Sequence, residues 1–405
     1  MGGNPGFGER GRQQLMKEDY RRKIEAIMNG DGFSGKTSLG AFLFAASMVY
    51  GAGVRLRNAC YDSGLFHGKE LPCRIVSIGN IVAGGTGKTP MTIAVADMLK
   101  HMGHRPVILS RGYGGHAEKT GIVVSDGYEL LCGPAMAGDE PFMMASKSRG
   151  VPVLAGSDRY KSGMHAISEF DPDVILLDDG FQHRRLHRNL DLLLLDAGNM
   201  FGNGYLVPRG VLREPVTALK RSDAVIFTRC GSAPEIPDHA AMAGRLTRIA
   251  PQASEGLHEK PVFQSNHVPF LTGIREGHAP FPMGIPTTSA ESDVSVLMGS
   301  NVFVFSGIAR NRDFLTAVET HAGRVAGHMA FPDHHPYTDA ECEEIMRRAV
   351  AAGADVLATT EKDYVRVAGK MPGDVPIAVV GVKIVFTGDD EAAFVRFIRE
   401  RLARS

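Results

Sequence analysis

From Arg74 to about Arg229 the chain alternates short apolar runs with stretches of helical periodicity. Ile75–Ile81, Pro106–Ser110, Ile122–Ser125, Val151–Ala155, Val174–Asp178, Leu190–Asp196 and Ala224–Thr228 are each long enough for one strand, and Met91–Met102 repeats its apolar positions as a helix does. Such alternation predicts an α/β fold, a mainly parallel sheet with helices on both faces, whose ligands gather at the carboxyl ends of the strands. A second, smaller α/β pattern follows: strand Val302–Ser306, helix Asp313–His321, strand Val325–Phe331, helix Asp339–Ala352, strands Val356–Thr360 and Val375–Val380, and a final helix Asp390–Leu402. Between the two, Pro234 to about Ser300 is rich in Pro, Ala, Gly and Ser, with a weak strand signal only near Val262 and Phe263; it reads as a linker with a long irregular insertion. The pattern therefore divides the chain at 1–73, 74–230, 231–300 and 301–405, with no internal repeat.

The first segment differs in kind. Residues 1–35 are polar, and Leu39–Val54 is the longest largely apolar run, 16 residues interrupted by Gly40, Gly51 and Gly53. A bilayer span wants about 20 apolar residues. Basic residues flank the run (Lys17, Arg21, Arg22 and Lys23 before it, Arg55 and Arg57 after it), so it suits a helix lying in a membrane interface, or equally a core helix packed on the next domain. No stretch has the order of a signal peptide.

Composition narrows the classes. Lys+Arg 45 balances Asp+Glu 45, so no overall field draws the chain to nucleic acid, and an anionic partner must be met by local patches. The five cysteines, Cys60, Cys73, Cys132, Cys230 and Cys342, lack CxxC spacing, which argues against a zinc site or a disulfide framework and fits a reducing compartment.

The most informative turn follows the first strand. Gly84-Gly85-Thr86-Gly87 leads into Lys88-Thr89 at a helix start, so successive backbone N–H groups and the helix dipole favour an anion there. Lys88 suits the β- and γ-phosphates of a nucleotide and the Thr89 hydroxyl suits Mg²⁺. Val82 stands where the usual P-loop pattern has its first glycine, so this is a variant. Asp178-Asp179 closes an apolar strand in the way that delivers a carboxylate to Mg²⁺ beside a P-loop; Asp196 repeats the form, although acids at strand ends also serve as caps and turn residues. Gly138-Asp139-Glu140-Pro141 has the form of a helix cap, or of a carboxylate able to accept a hydroxyl proton. In Phe331-Pro-Asp-His334-His335-Pro-Tyr337 adjacent histidines point apart, so one histidine paired with a carboxylate is the better expectation than a shared metal site. Arg111, with Tyr113 close by, and Arg209 and Arg213 arm two further glycine-bearing loops, and arginine's planar fork suits phosphate.

Taken together, Ser77-Ile-Gly-Asn-Ile-Val-Ala-Gly-Gly-Thr-Gly-Lys-Thr-Pro90, Ser110-Arg-Gly-Tyr-Gly-Gly115, Gly138-Asp-Glu-Pro141, Leu177-Asp-Asp-Gly-Phe-Gln-His183, Gly202-Asn-Gly204 with Leu212-Arg-Glu-Pro215, Phe331–Tyr337 and Thr359-Thr-Glu-Lys-Asp363 resemble the tetraacyldisaccharide 4′-kinases of lipid A biosynthesis, in that family's order from about Leu39 to Leu402. The resemblance implies a P-loop NTPase-like core and transfer of phosphate from ATP, with Mg²⁺, to the 4′-hydroxyl of an acylated glucosamine disaccharide 1-phosphate, giving lipid IVA. It implies a peripheral protein at the cytoplasmic face of the bacterial inner membrane, with Leu39–Tyr61 as the interfacial helix, and a monomer. It gives Asp139 and His334 as a catalytic dyad, Thr89, Asp178, Asp179 and Glu140 as managers of Mg²⁺, and Arg111, Tyr113 and Arg213 as contacts to substrate. Gly84 to Thr89, with Glu361 and Lys362 from the second domain, would then lie at the nucleotide, and closure of the two domains would complete the site. Asn311 where proline is expected, Arg209 in place of a small residue, and the length of the N-terminus and of Asn266–Met298 depart from the pattern. Two other functions fit a variant P-loop, an ATPase acting on a partner protein and a nucleotide-binding module without catalysis.

Overall fold

The computed structural model describes residues 27–28, 38–232, 244, 260–275 and 294–404. The expectations for most of residues 1–35 and for 233–259 and 276–293 lie outside the described residues. In the first lobe β1 (Arg74–Gly79), β2 (Pro106–Ser110), β4 (Val153–Ala155), β5 (Val174–Asp178), β6 (Leu190–Asp196) and β7 (Ala224–Thr228) are parallel, and β3 (Ile122–Ser125) runs antiparallel to β4 at one edge. All seven residues of β6 and all five each of β2, β5 and β7 are buried. Helices cover both faces of a parallel sheet, so its strands are written as unbroken apolar runs rather than alternating ones. Alternate residues serve the two faces. Leu176, Leu192, Leu194 and Ile226 pack with Met91, Val95 and Leu99 of α2 (Lys88–His101) and Phe142 of α3 (Asp139–Lys147). Ile175 and Leu177 meet Ala166 of α4 (Arg159–Phe170), while Leu193, Leu195 and Phe227 meet Phe181 and Phe201.

The stretch expected to be irregular contains a strand. β8 (Val262–Arg275) pairs in parallel with β7 through Val262–Gln264, then continues antiparallel to β12 (Ile377–Phe386) from Ser265 to Arg275. Beyond β12 lie β11 (Val356–Thr360), β9 (Asn301–Ser306) and β10 (Arg324–Ala330), parallel to one another. One 12-stranded sheet thus runs through both lobes in the order β10-β9-β11-β12-β8-β7-β6-β1-β5-β2-β4-β3, with the β8/β12 ribbon as its seam. The second lobe is covered by α5 (Asn311–His321), α6 (Asp339–Ala351) and α7 (Glu361–Val367), and α8 (Asp390–Arg404) returns to pack Phe394 and Ile398 into the first lobe's core.

The apolar run near the N-terminus becomes α1 (Ser38–Asp62), 25 residues and longer than the run itself. By length and composition alone it is long and apolar enough to cross a membrane. Its Gly40, Leu43, Ser47, Gly51 and Val54 recur every three or four positions and are buried. That stripe docks on the loop before Pro215: Ser47 donates to the Leu206 carbonyl at 2.8 Å, Tyr50 to the Arg213 carbonyl at 2.9 Å, and Asn58 to Glu214 at 2.8 Å. The rest of the helix leaves Phe42 68%, Val49 76% and Leu56 68% exposed.

Candidate active site

The P-loop sits between β1 and α2, and two of its glycines take left-handed backbone, Gly84 at φ 113° and Gly87 at φ 84°. A side chain at Gly87 would also overlap His267, which β8 presses against the loop. Asn80 donates to the Thr86 hydroxyl at 2.7 Å, and Thr228 at the end of β7 donates to the Thr86 carbonyl at 3.2 Å, so the loop is braced from two strands. Lys88 lies 3.8 Å from Asp179. Arg213 reaches the same carboxylate at 2.9 Å, carried there by a loop whose Leu212 bridges Val82. Burial works against ionisation of Asp179, but Lys88 and Arg213 outweigh it and hold the carboxyl below its usual range.

Asp178 behaves oppositely. It is buried, accepts from Thr92 at 3.1 Å and Ser110 at 3.5 Å, and is pushed well above the carboxylate range, first by burial and then by the negative charges of Glu140 and Asp179. That coupling brings the acidic start of α3 into the electrostatic reach of the P-loop. Among the described residues no three His, Cys or carboxylate side chains already surround a common point. Mg²⁺ does not require such a cluster, since it binds through one or two carboxylates together with substrate phosphates and keeps several waters. The Thr89 hydroxyl and the carboxylates of Asp178, Asp179 and Glu140 offer hard oxygen ligands, and the excess negative charge at Asp178 is what a divalent cation would relieve.

The second half of the site is built across the lobes. Asp139 is the first residue of α3 and Gly138 before it takes the cap position without any side-chain bond, so neither acid caps the helix through its side chain, although both stand in the first turn where the helix dipole favours them. The carboxylate instead faces Arg366 of α7, whose Nε and Nη2 donate to Oδ2 at 2.7 and 2.5 Å, and His334, whose Nδ1 lies 3.6 Å from the same oxygen. Burial opposes ionisation here too, yet the contacts with His334 and Arg366 keep the Asp139 carboxyl below its usual range. His334 takes left-handed backbone at φ 60°, and Lys362 Nζ lies 3.0 Å from its Nε2. Arg366 Nη2 lies 3.2 Å from Nδ1, so a cationic donor stands at each ring nitrogen. Lys362 also lies 3.4 Å from Glu140 and from Asp333. His335 points away as expected, stacked on Phe331 and 3.0 Å from Glu341 at the start of α6.

The remaining candidates are spread around this centre. Tyr113 packs edge-on to His334 with ring centroids 5.9 Å apart and is largely exposed. Arg111 points outward, its guanidinium 2.8 Å from Glu118. Glu361 is buried against Lys147 at 2.7 Å and Thr272 at 2.6 Å, at the opposite end of the α3/α7 pair from Asp139. Asn311 does without the expected proline by bridging strands: it accepts from Ser306 at 2.5 Å and donates to the Phe331 carbonyl at 2.8 Å. Arg366 was missed from the sequence, since an arginine in a short helix reads as surface charge; its spacing of three residues from Asp363, an acid inside an otherwise apolar helix face, was the available signal.

A braced P-loop, acids at the end of the neighbouring strand and a carboxylate–histidine pair drawn from both lobes are the parts from which a P-loop phosphotransferase is built. The family model for tetraacyldisaccharide-1-P 4′-kinase matches residues 39–403. A tetraacyldisaccharide 4′-kinase of Syntrophus aciditrophicus (strain SB) is 41% identical over 323 residues, 80% of this chain and 83% of the relative. Another from Desulfatibacillum aliphaticivorans is 40% identical over 351 residues, 86% of this chain and 89% of the relative. LpxK of Aquifex aeolicus, solved in complex with ATP, superposes with a TM-score of 0.65 at 30% identity, covering 87% of this chain and 96% of that one. The chain belongs to the tetraacyldisaccharide 4′-kinase family.

Proposed function

We propose that the chain acts on its lipid by a division of labour between its lobes, the first handling phosphate and the seam between them activating the acceptor. The activity is that of the family: ATP-dependent phosphorylation of the 4′-hydroxyl of tetraacyldisaccharide 1-phosphate in lipid A biosynthesis. The variant-P-loop ATPase reading is not favoured. The observation that carries the residue assignments is the Asp139–His334 pair, contributed by different lobes, beside Glu140, whose charge acts on Asp178 at the P-loop.

In this reading the backbone of Gly84 to Thr89 cradles the phosphates and Lys88 draws the γ-phosphoryl oxygens. Thr89, Asp178, Asp179 and Glu140 would hold Mg²⁺, which when bound neutralises charge on the phosphates. Asp139 accepts the proton of the 4′-hydroxyl as its oxygen bonds to the γ-phosphorus; the bond from that phosphorus to the β-phosphate oxygen breaks, leaving ADP. His334, 3.6 Å from Asp139, helps to orient the carboxylate. The transition state is loose, so positioning and charge stabilisation carry most of the rate. Arg213, Arg111 and Tyr113 line the approach for substrate phosphate or sugar, and Glu361 and Lys362 bring the second lobe toward the nucleotide. We also propose that the chain acts as a monomer in four segments (1–73, 74–230, 231–300 and 301–405), docked at the cytoplasmic face of the inner membrane through the exposed apolar face of α1.

The test is transfer of labelled γ-phosphate from MgATP to the tetraacyl disaccharide 1-phosphate in detergent micelles, wild type beside Asp139→Ala. A phosphorylated lipid made by wild type and not by Asp139→Ala supports reaction and base together. ATP hydrolysis without lipid product would return the reading to an ATPase.

A further inference from the structure

The α3 and α7 helices pack antiparallel across the seam, with an ion pair at each end: Lys147–Glu361 at 2.7 Å and Asp139–Arg366 at 2.5 Å. The second pair is asymmetric. Both guanidinium contacts fall on Oδ2 of Asp139, the oxygen that also faces His334, and Oδ1 has no hydrogen-bond partner among the described residues. Arg366 is itself fixed from behind. Its side chain is 9% exposed, Nη1 lies 3.4 Å from Asp363 Oδ1, and Asp363 is buried and held by Tyr337 at 3.0 Å and Thr360 at 2.6 Å. Nη2 also lies 3.2 Å from His334 Nδ1, so one guanidinium touches both members of the dyad.

A carboxylate rotating freely about its last bond presents either oxygen, and a base must meet its proton within hydrogen-bond reach. A planar guanidinium, always charged and held at its far edge, removes that freedom without taking the proton itself. We propose that Arg366 is the positioning residue of the dyad: it pins Oδ2 of Asp139 so that Oδ1 is the oxygen that meets the acceptor hydroxyl. Because Arg366 and His334 belong to the second lobe and Asp139 to the first, the base is oriented only while the two lobes are together. The inference rests on Asp139 being the base.

The experiment uses the full chain with MgATP and tetraacyl disaccharide 1-phosphate in micelles, comparing wild type, Asp139→Ala, Arg366→Ala and Arg366→Lys. Each is assayed with and without guanidinium ion far below denaturing concentration, and melting temperatures are recorded alongside. Arg366→Ala is expected to lose about 10²-fold in kcat, the scale of a misplaced catalytic group, with KM for ATP little changed. Arg366→Lys loses less, since an ammonium keeps the charge without the fork. Added guanidinium restores part of the rate to Arg366→Ala and none to Asp139→Ala. Wild-type kcat in Arg366→Ala overturns the inference, as does a loss in both Arg366 variants that guanidinium does not relieve. Near-normal kcat in Asp139→Ala would instead overturn the base assignment beneath it.

Discussion

The two halves of the site are built in opposite ways. The phosphate cradle lies largely within one lobe: Asn80 holds Thr86 inside the loop, Thr228 of β7 holds it from outside, and Asp178 and Asp179 come from the adjoining strand. The acceptor side is assembled from segments far apart in the chain, Asp139 meeting Arg366 across 227 positions and Lys147 meeting Glu361 across 214. A cradle of the first kind survives as long as its lobe folds. If Asp139 is the base we propose, it is oriented only while the seam is closed, which would tie proton removal to the packing of the two lobes.

The sharpest way to break this comparison is to remove one group from each half. Asp139→Ala is expected to lower kcat by about 10²–10⁴-fold, the usual share of a positioned base, while nucleotide binding measured by titration calorimetry persists. Lys88→Ala should lose both. Equal loss of nucleotide affinity in the two variants would mean that the halves are not separable.

The seam itself can be loosened without touching the dyad. Lys147→Met leaves the Glu361 carboxylate buried without its ammonium and should cost about 3 kcal/mol in denaturant unfolding, the low end for a broken buried pair because Lys147 is partly exposed. Lys147→Met combined with Glu361→Leu should recover much of that loss, because no unpaired charge remains.

A smaller effect separates ribbon from lobe through pH. Burial, then the nearby cation Arg229, lowers the His267 pKa to about 3, and burial with Arg159, Arg188 and Arg185 lowers that of His183 to about 4. Both are neutral when folded, whereas in the unfolded chain they titrate near 6.5. Between those values the unfolded state binds more protons, so stability rises with pH and is lost as pH falls from about 6.5 toward 4. The melting temperature should therefore drop between pH 7 and 5, and His267→Gln should flatten the slope. An unchanged slope in that variant would remove the histidine at the ribbon as a contributor.

The smallest expected effect on the fold comes from the open face of α1. Phe42→Ser with Val49→Ser should change stability by less than about 0.5 kcal/mol, since both side chains are mostly exposed, and yet weaken binding to anionic lipid vesicles in a flotation assay. Retained vesicle binding would assign the membrane contact to another surface.

Much of the first lobe was legible because a buried parallel strand is written in consecutive residues: β2, β5, β6 and β7 begin and end where their apolar runs do, as does the antiparallel edge strand β3. The glycine turn and Lys88-Thr89 are legible for the same reason, since phosphate is bound by neighbouring backbone amides. β8 was not. Its middle, Ser265-Asn-His267, is polar because it lies at the junction of two lobes, and only its partners β7 and β12 make a strand of it. Nor does a motif choose between the readings of Asp139. A carboxylate at a helix start can cap or act as a base depending on what stands opposite, and here Arg366 and His334 arrive from the other lobe to face it. The sequence by itself determined the elements and the chemistry available within each short segment. Which carboxylate oxygen is held, which histidine turns inward and where α1 keeps an open face depended on tertiary structure, because those properties belong to pairs of surfaces brought together by the sheet.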